Sequence, residues 1–180
     1  MPSESLISPE GLDTLRRLAA QVPADQAIVE IGAFRGGATC AMAEAAAAGA
    51  GAHVWAIDPW DLPGNPDARW AARSRAVFER RVKARRLSDW ITQLRAFSAD
   101  VAARWDGPKV GLLFIDGDHR EQTVRADWVA WRLHLAASAP VVFDDYRHPA
   151  HPGVAAVVDS LPELGCEFQA GRLAVGRYDG

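Results

Sequence analysis

The chain has 180 residues, 49% of them hydrophobic, a formal net charge of -3 and a mean hydropathy of -0.10, which is the length and balance of one domain with a sizeable core. The slight acidity speaks against a nucleic-acid partner, and no apolar run is long enough to cross a bilayer. The opening MPSESLISPEG lacks the basic and apolar regions of an export signal, and Cys40 and Cys166 stand far apart with no need to pair, so a reducing, cytoplasmic setting is expected.

Ser8 followed by Pro9 signals a helix start, with Leu12, Leu15, Leu18 and Ala19 on one stripe. Residues 27–39 read AIVEIGAFRGGAT. The β-branched run Ile28, Val29 and Ile31 predicts a strand buried on both faces, stopping at Gly32. Gly36 and Gly37 then lead into an alanine-rich helix over 38–48. A strand, a glycine turn and a helix start together set backbone N–H groups beside a sheet edge, the makings of a cofactor cradle. Glu30 lies inside the apolar run, where a bare carboxylate is costly, so a cation or a hydrogen-bonding group is expected to meet it.

Next come a second strand over 52–58, ending at Asp58, and an irregular loop, DPWDLPGNPDARW. An arginine-rich helix over 68–87, a third strand over 90–96 and a short helix over 98–105 follow. VGLLFID makes a fourth strand ending at Asp116. A helix over 122–135 then carries Val124, Trp128, Trp131 and Leu135 on one face. APVVFDD is a fifth strand, Pro152 opens a helix over 152–161, and CEFQ and RLAVGRY form a closing hairpin turned at Ala170 and Gly171. Strands alternating with helices imply an α/β fold in a single domain, residues 1–180. Its doubly wound sheet is mainly parallel and seven-stranded, with a C-terminal antiparallel hairpin.

Three of these strands end in carboxylates, Asp58, Asp116 and the pair Asp144 and Asp145. Ligands of open α/β sheets lie outside the carboxyl ends of the strands, so these acids are expected at one crevice. Asp58 sits where nucleotide folds place a ribose-binding acid, the alternative being a turn former before Pro59. Asp116, Asp144 and Asp145 offer hard oxygen ligands suited to Mg²⁺ or Mn²⁺ rather than zinc; the alternative is that Asp118 and Asp145 cap the following helices. His119, three residues past Asp116, has the near-neutral pKa of a general base, or else is a surface histidine at a helix start. Tyr146, Arg147, His148 and His151 either line an acceptor pocket or form a solvated loop.

VEIGAFRGG, AIDPWD, LLFIDGDHR and VVFDDY resemble class I S-adenosylmethionine-dependent methyltransferases over about residues 27–161. More narrowly they are similar to the small family that includes sugar and macrolide O-methyltransferases, related to catechol O-methyltransferase. The resemblance implies a Rossmann-like fold. It implies that Glu30, Gly32 and Gly36 surround the methionine portion of S-adenosylmethionine, with Phe34 and Asp116 also at the cofactor. Asp58 would bind the ribose, and Ser98 and Ala99 would border the adenine. Asp116, Asp144 and Asp145 would hold Mg²⁺ or Mn²⁺, and His119 would be the base. Catechol-type enzymes end the fifth strand in Asp-Asn, use a lysine base and place an aromatic wall where this chain has Asp118. These departures point to a sugar or natural-product hydroxyl.

The chain is short for that family, leaving the loop bearing Trp60 and Trp70, or a neighbouring subunit in a homodimer, to cover the acceptor. Two other readings remain at this point. A nucleic-acid binder would use Arg69, Arg73, Arg75, Arg80, Arg81, Lys83, Arg85 and Arg86, but Glu79 among them and their spread around one helix suit a solvated face. A nicotinamide oxidoreductase would need a G-x-G-x-x-G turn, which GAFRGG does not supply. A methyltransferase fold acting on RNA, or binding the donor without O-methyl transfer, is the alternative within the family.

Overall fold

Every residue of β1 (Ala27–Ile31) and β4 (Val110–Ile115) is buried, as expected of central parallel strands covered on both faces. The computed structural model describes residues 7–65, 68–162, 164 and 166–178, without the side chains of Arg69, Trp70, Ala72, Cys166, Glu167 and Phe168. The readings placed on residues 1–6, Trp70 and the Cys166 thiol therefore lie outside the described residues. Cys40 is a buried free thiol.

The remaining strands are β2 (His53–Asp58), β3 (Ile91–Arg95), β5 (Ala139–Phe143), β6 (Cys166–Ala170) and β7 (Leu173–Tyr178). They join in one seven-stranded sheet of order β3-β2-β1-β4-β5-β7-β6, in which β7 alone runs opposite to the other six. The fold is thus the doubly wound α/β sheet expected from the sequence. The order reverses between β1 and β4, where a crevice opens.

Alternation along β1 sends Ile28 to one face and Val29 to the other. The Ile28 face packs beneath α1 (Pro9–Ala19), α2 (Gly37–Ala48) and α3 (Ala68–Ala84), with Leu15, Met42 and Phe78 in its core. The Val29 face meets α4 (Ser98–Ala102), α5 (Glu121–Trp131) and α6 (Pro152–Val158) through Ala102, Trp128, Trp131 and Val157. Ser8 caps α1 by accepting the Gly11 N–H at 3.1 Å, as Ser-Pro at a helix start implies.

Several helices end earlier than their apolar pattern. α3 stops because Arg86 turns left-handed (φ 57°) and the Leu87 N–H reaches back to the Val82 carbonyl at 3.0 Å. α5 gives way to a 3-10 turn, Arg132–His134, because Leu135 is extended and bridges to Val110. α6 ends at Val158 rather than 161. The hairpin turns at Gly171 and Arg172, one residue later than expected, with Gly171 at φ 62°. Among the described residues no helix is long and apolar enough to cross a membrane.

Pairing keeps the strand ends level. Ile31 stands opposite both Ile57 and Ile115, and Ile115 opposite Phe143, so Gly32, Asp58, Asp116 and Asp144 share the next row. Gly32 makes this approach possible. Its φ is +92°, and a β-carbon there would lie 2.0 Å from the Asp116 carbonyl oxygen, which is fixed backbone. Gly32→Ala is therefore expected to destabilise the fold by roughly 3 kcal/mol or more. Urea denaturation checks this; a loss within 1 kcal/mol, on the order of an ordinary surface substitution, would count against the close approach.

Candidate active site

At the carboxyl edge of the sheet lies a single cleft of about 1270 Å³. It brings together Glu30, Gly32, Phe34, Asp58, Ser98, Ala99, Asp116, His119, Asp144 and Asp145, all the residues expected at the donor, the metal and the base except Gly36. Gly36 adjoins it as the residue that caps α2. Its φ of +74° and the Phe78 ring, 2.8 Å from where a β-carbon would sit, require glycine there.

Glu30 points toward α2, where the Thr39 hydroxyl, in the first turn of that helix, meets its carboxyl. The partner is a hydrogen-bonding group, not a cation. Burial outweighs that bond and pushes the Glu30 pKa up to about 8, so the side chain is neutral at pH 7.

Asp58 is tied differently. One carboxylate oxygen accepts the Phe34 N–H at 2.8 Å and the other accepts the Trp60 N–H at 2.6 Å. It therefore joins the glycine turn to the loop after β2 while burial raises its pKa. Trp60 is fully buried, donates its indole N–H to the Phe34 carbonyl at 2.8 Å and meets the Phe78 ring edge-on. Trp60, on the loop expected to cover the acceptor, is thus packed into the core. The residue is an anchor, because withdrawing it would break two hydrogen bonds and empty a core site.

Asp116 and Asp144 face each other. Burial, and next the charge of Asp144, hold the Asp116 carboxyl well above the usual range; burial also raises Asp144. The third donor beside them is His119. Single ligand atoms of Asp116, His119 and Asp144 all lie within 4.8 Å of one another, as do those of His119, Asp145 and His151. The all-carboxylate trio expected from the sequence is neither of these sets. Asp145 turns instead toward His119 and His151, each 3.5 Å away, and toward Arg172 at 3.2 Å. His119 Nε2 is 3.7 Å from Asp116 and is buried with no hydrogen-bond partner. Burial lowers its pKa more than the nearby carboxylates raise it, so the ring is neutral at pH 7.

His151 stacks between His119 and His148, with ring centres 4.4 and 4.9 Å apart, and both His148 and His151 line the cleft. Tyr146 and Arg147 do not. Tyr146 is core, its hydroxyl donating to Asp159 at 2.7 Å, and Arg147 lies over its ring. Asp118 is held by Arg120, including the Arg120 N–H at 2.9 Å, which keeps its pKa low. Arg172 and Asp127 also line the cleft and were missed in the sequence. Arg172 follows a glycine in a hairpin with no local mark of a site. Asp127 stands among apolar helix positions, a pattern that could have flagged it. On α3 Arg75 pairs with Glu79 at 3.0 Å, and just past its end Arg85 pairs with Glu44 at 3.0 Å, as a solvated face does.

The state of Glu30 has a consequence for stability. Folded chain keeps a proton that unfolded chain releases above its ordinary pKa, so this contribution is full at low pH and is lost as pH rises toward about 8. Glu30→Gln keeps the hydrogen bond to Thr39 and removes the titration. Its melting temperature is expected to exceed that of wild type by about 2 °C or more near pH 8 and to fall less from about pH 5 to 8. Parallel melting curves across that range would show that Glu30 is charged in the fold.

Comparison with known proteins agrees with this geometry. A methyltransferase domain family matches residues 29–146. No curated protein matches the sequence. Among solved structures, the O-methyltransferase NovP superposes with a TM-score of 0.77 at 18% identity, covering 98% of this chain and 83% of that one. The calicheamicin methyltransferase CalS11 gives 0.73 at 18% identity, covering 94% and 77%. The O-methyltransferase TomG from Streptomyces achromogenes, involved in tomaymycin synthesis and solved in complex with SAM, gives 0.69 at 17% identity, covering 100% and 84%. These likenesses establish a shared fold. The family match spans more than half of the chain, including the glycine turn and the strand ends that build the cleft, and on it the chain belongs to the methyltransferase domain family.

Proposed function

We propose that the protein transfers a methyl group from S-adenosylmethionine to a hydroxyl of a small molecule, a sugar or natural product rather than a flat catechol, with a divalent cation beside the acceptor. The observation that carries this reading is the single cleft that joins the glycine turn and Asp58 to Asp116, Asp144 and His119. NovP and TomG are O-methyltransferases, TomG was solved with SAM, and CalS11 is also described as a TDP-rhamnose 3'-O-methyltransferase. Arg75 of α3 and Arg85 just past it, each already paired with an acid, favour a small acceptor over RNA.

The donor fits the cradle. Gly32 lets backbone approach closely, and the α2 N-terminus and Asp58 stand on either side of the turn. S-adenosylmethionine supplies a methyl group already activated by its positive sulfur; the methyl-sulfur bond breaks as the oxygen-methyl bond forms, leaving S-adenosylhomocysteine.

A cation also fits. Asp116 and Asp144 are crowded acids that a positive charge would relieve, and His119 Nε2 is an orphaned buried atom beside them. Asp116 and Asp144 would hold Mg²⁺ or Mn²⁺, which would supply Lewis acidity toward the acceptor hydroxyl. His119, neutral through burial, accepts the hydroxyl proton at Nε2. Asp145, 3.5 Å from that nitrogen and itself neutralised by Arg172, stabilises the imidazolium that forms. The stacked ring of His151 shields this proton from water on one side.

Incubating the protein with S-adenosylmethionine and a panel of glycosidic and phenolic acceptors is expected to release S-adenosylhomocysteine. Turnover should stop with EDTA and return with Mg²⁺ or Mn²⁺; undiminished turnover in chelator removes the cation from the reading. His119→Ala is expected to lower kcat by about 10²–10⁴ while S-adenosylhomocysteine affinity, measured by calorimetry, stays within about twofold. A small drop in kcat would return His119 to the role of a packed histidine.

A further inference from the structure

Three side chains that line the cleft, His119, Asp145 and His151, hold one ligand atom each within 4.8 Å of the others. Both histidines present Nε2 to the same carboxylate oxygen, Oδ2 of Asp145, at 3.5 Å. A hydrogen bond there would span about 2.9 Å, and His119 Nε2, though buried, makes none.

Separations of that size are those between ligands that share an ion. Zn²⁺ holds imidazole nitrogen and carboxylate oxygen at about 2.1 Å in a tetrahedron, whose corners stand about 3.4 Å apart. An octahedral Mg²⁺ with bonds of similar length needs neighbouring ligands about 2.9 Å apart. The donor set agrees, because two imidazoles and one carboxylate suit zinc and its first-row neighbours more than a hard ion. Three protein ligands leave the fourth corner to the cleft.

The fold fixes the donors from three separate elements. His119 follows β4, Asp145 turns left-handed at φ 54° after β5, and His151 precedes α6. A β-carbon on Gly153 would lie 2.5 Å from the Glu121 nitrogen and 2.7 Å from the His119 carbonyl oxygen, so the start of α6 is pressed onto the backbone that carries His119. This contact sets the two rings together, with centres 4.4 Å apart. The other oxygen of Asp145, Oδ1, meets Arg172 at 3.2 Å. The guanidinium thus orients the carboxylate and leaves Oδ2 to the imidazoles, as the outer partners of metal ligands do. Asp116, 3.7 Å from His119 Nε2, supplies a second negative charge once an ion is near.

We propose that His119, Asp145 and His151 form a tetrahedral Zn²⁺ site, distinct from the hard-ion pair Asp116 and Asp144. The site does not depend on the methyl-transfer reading, but its consequence does: a zinc ion on His119 Nε2 withholds that nitrogen from the acceptor proton and so inhibits turnover.

Calorimetric titration of the full chain, free of any histidine tag and cleared of metal with EDTA that is then removed, tests the site with ZnCl₂. One zinc ion per chain is expected to bind with a Kd of about 10 µM or tighter, and to stay bound in about 10 mM Mg²⁺, an ion that avoids such donors. His151→Ala and Asp145→Asn, each checked for fold by circular dichroism, are expected to weaken binding by roughly 30-fold or more. Asparagine tolerates the left-handed backbone at 145, and either variant suffices if the other fails to fold. His148→Ala, which removes only the stacked neighbour, should change the affinity by less than about threefold. Co²⁺ in place of zinc should give the intense visible absorption of a tetrahedral ion. Absence of zinc binding, binding that keeps its strength in a folded His151→Ala or Asp145→Asn, or the weak spectrum of octahedral cobalt overturns the proposal. Binding lost in Asp144→Asn but kept in His151→Ala puts the ion on the acid pair and overturns it equally. Zinc that binds as expected yet leaves methyl transfer undisturbed upholds the site and removes His119 from the role of base.

Discussion

The meeting of β1 and β4 is the constraint from which the site follows. These strands lie side by side in the sheet, yet the chain leaves β1 toward β2 and leaves β4 toward β5. A crevice must open between their ends, and backbone has to fold tightly across it. The Gly32 N–H bonds the Ile57 carbonyl and the Asp116 N–H bonds the Ile31 carbonyl, each at 2.8 Å, so three strands finish level. Gly32 has no room for a side chain because the Asp116 carbonyl occupies it. That contact places the glycine turn and the acids in one row.

Residues of one chemical type take different states along that row. Glu30 is buried against a threonine hydroxyl and keeps its proton. Asp58 accepts two backbone N–H groups, which oppose the rise in pKa that burial causes, and serves the loops as much as the cleft. Asp116 and Asp144 crowd one another, an arrangement that burial makes worse and that no core needs. Asp145, one residue further, has two imidazoles and a guanidinium for company. Unrelieved acids gathered at the mouth of the crevice cost the fold stability.

The two sides of the cleft differ in how firmly they are held. At the end of the cleft beside the glycine turn, Trp60 is pinned by the Phe34 carbonyl and the Phe78 ring, and the Ser98 hydroxyl by Trp131. Rigid support of this kind suits a constant ligand. At the other end, His119, His151 and His148 stack on one another, and Arg172 reaches in from a hairpin turn while remaining half exposed. That side is built from loop and turn residues, the part of an α/β fold that varies with substrate.

Much of this was legible along the chain. Buried β-branched runs ending in glycine or aspartate announce parallel strands and the edge that carries ligands, because period and turn chemistry are local properties. Hence Gly32, Asp58, Asp116 and Asp144 were found from spacing alone, and so were the apolar faces of α1 and α5. The insertion of β7 between β5 and β6 was not legible, since a hairpin pattern does not say which of its strands reaches the sheet. That insertion brings Arg172 to Asp145 across 27 positions of sequence and draws Asp145 away from its two fellow acids. Burial decided the rest. Whether Trp60 faces solvent or anchors in the core depends on what surrounds its side chain in three dimensions. Spacing along the sequence carries the identity of the chemical groups; the environment that sets their charge and their partners exists only once the sheet has closed around them.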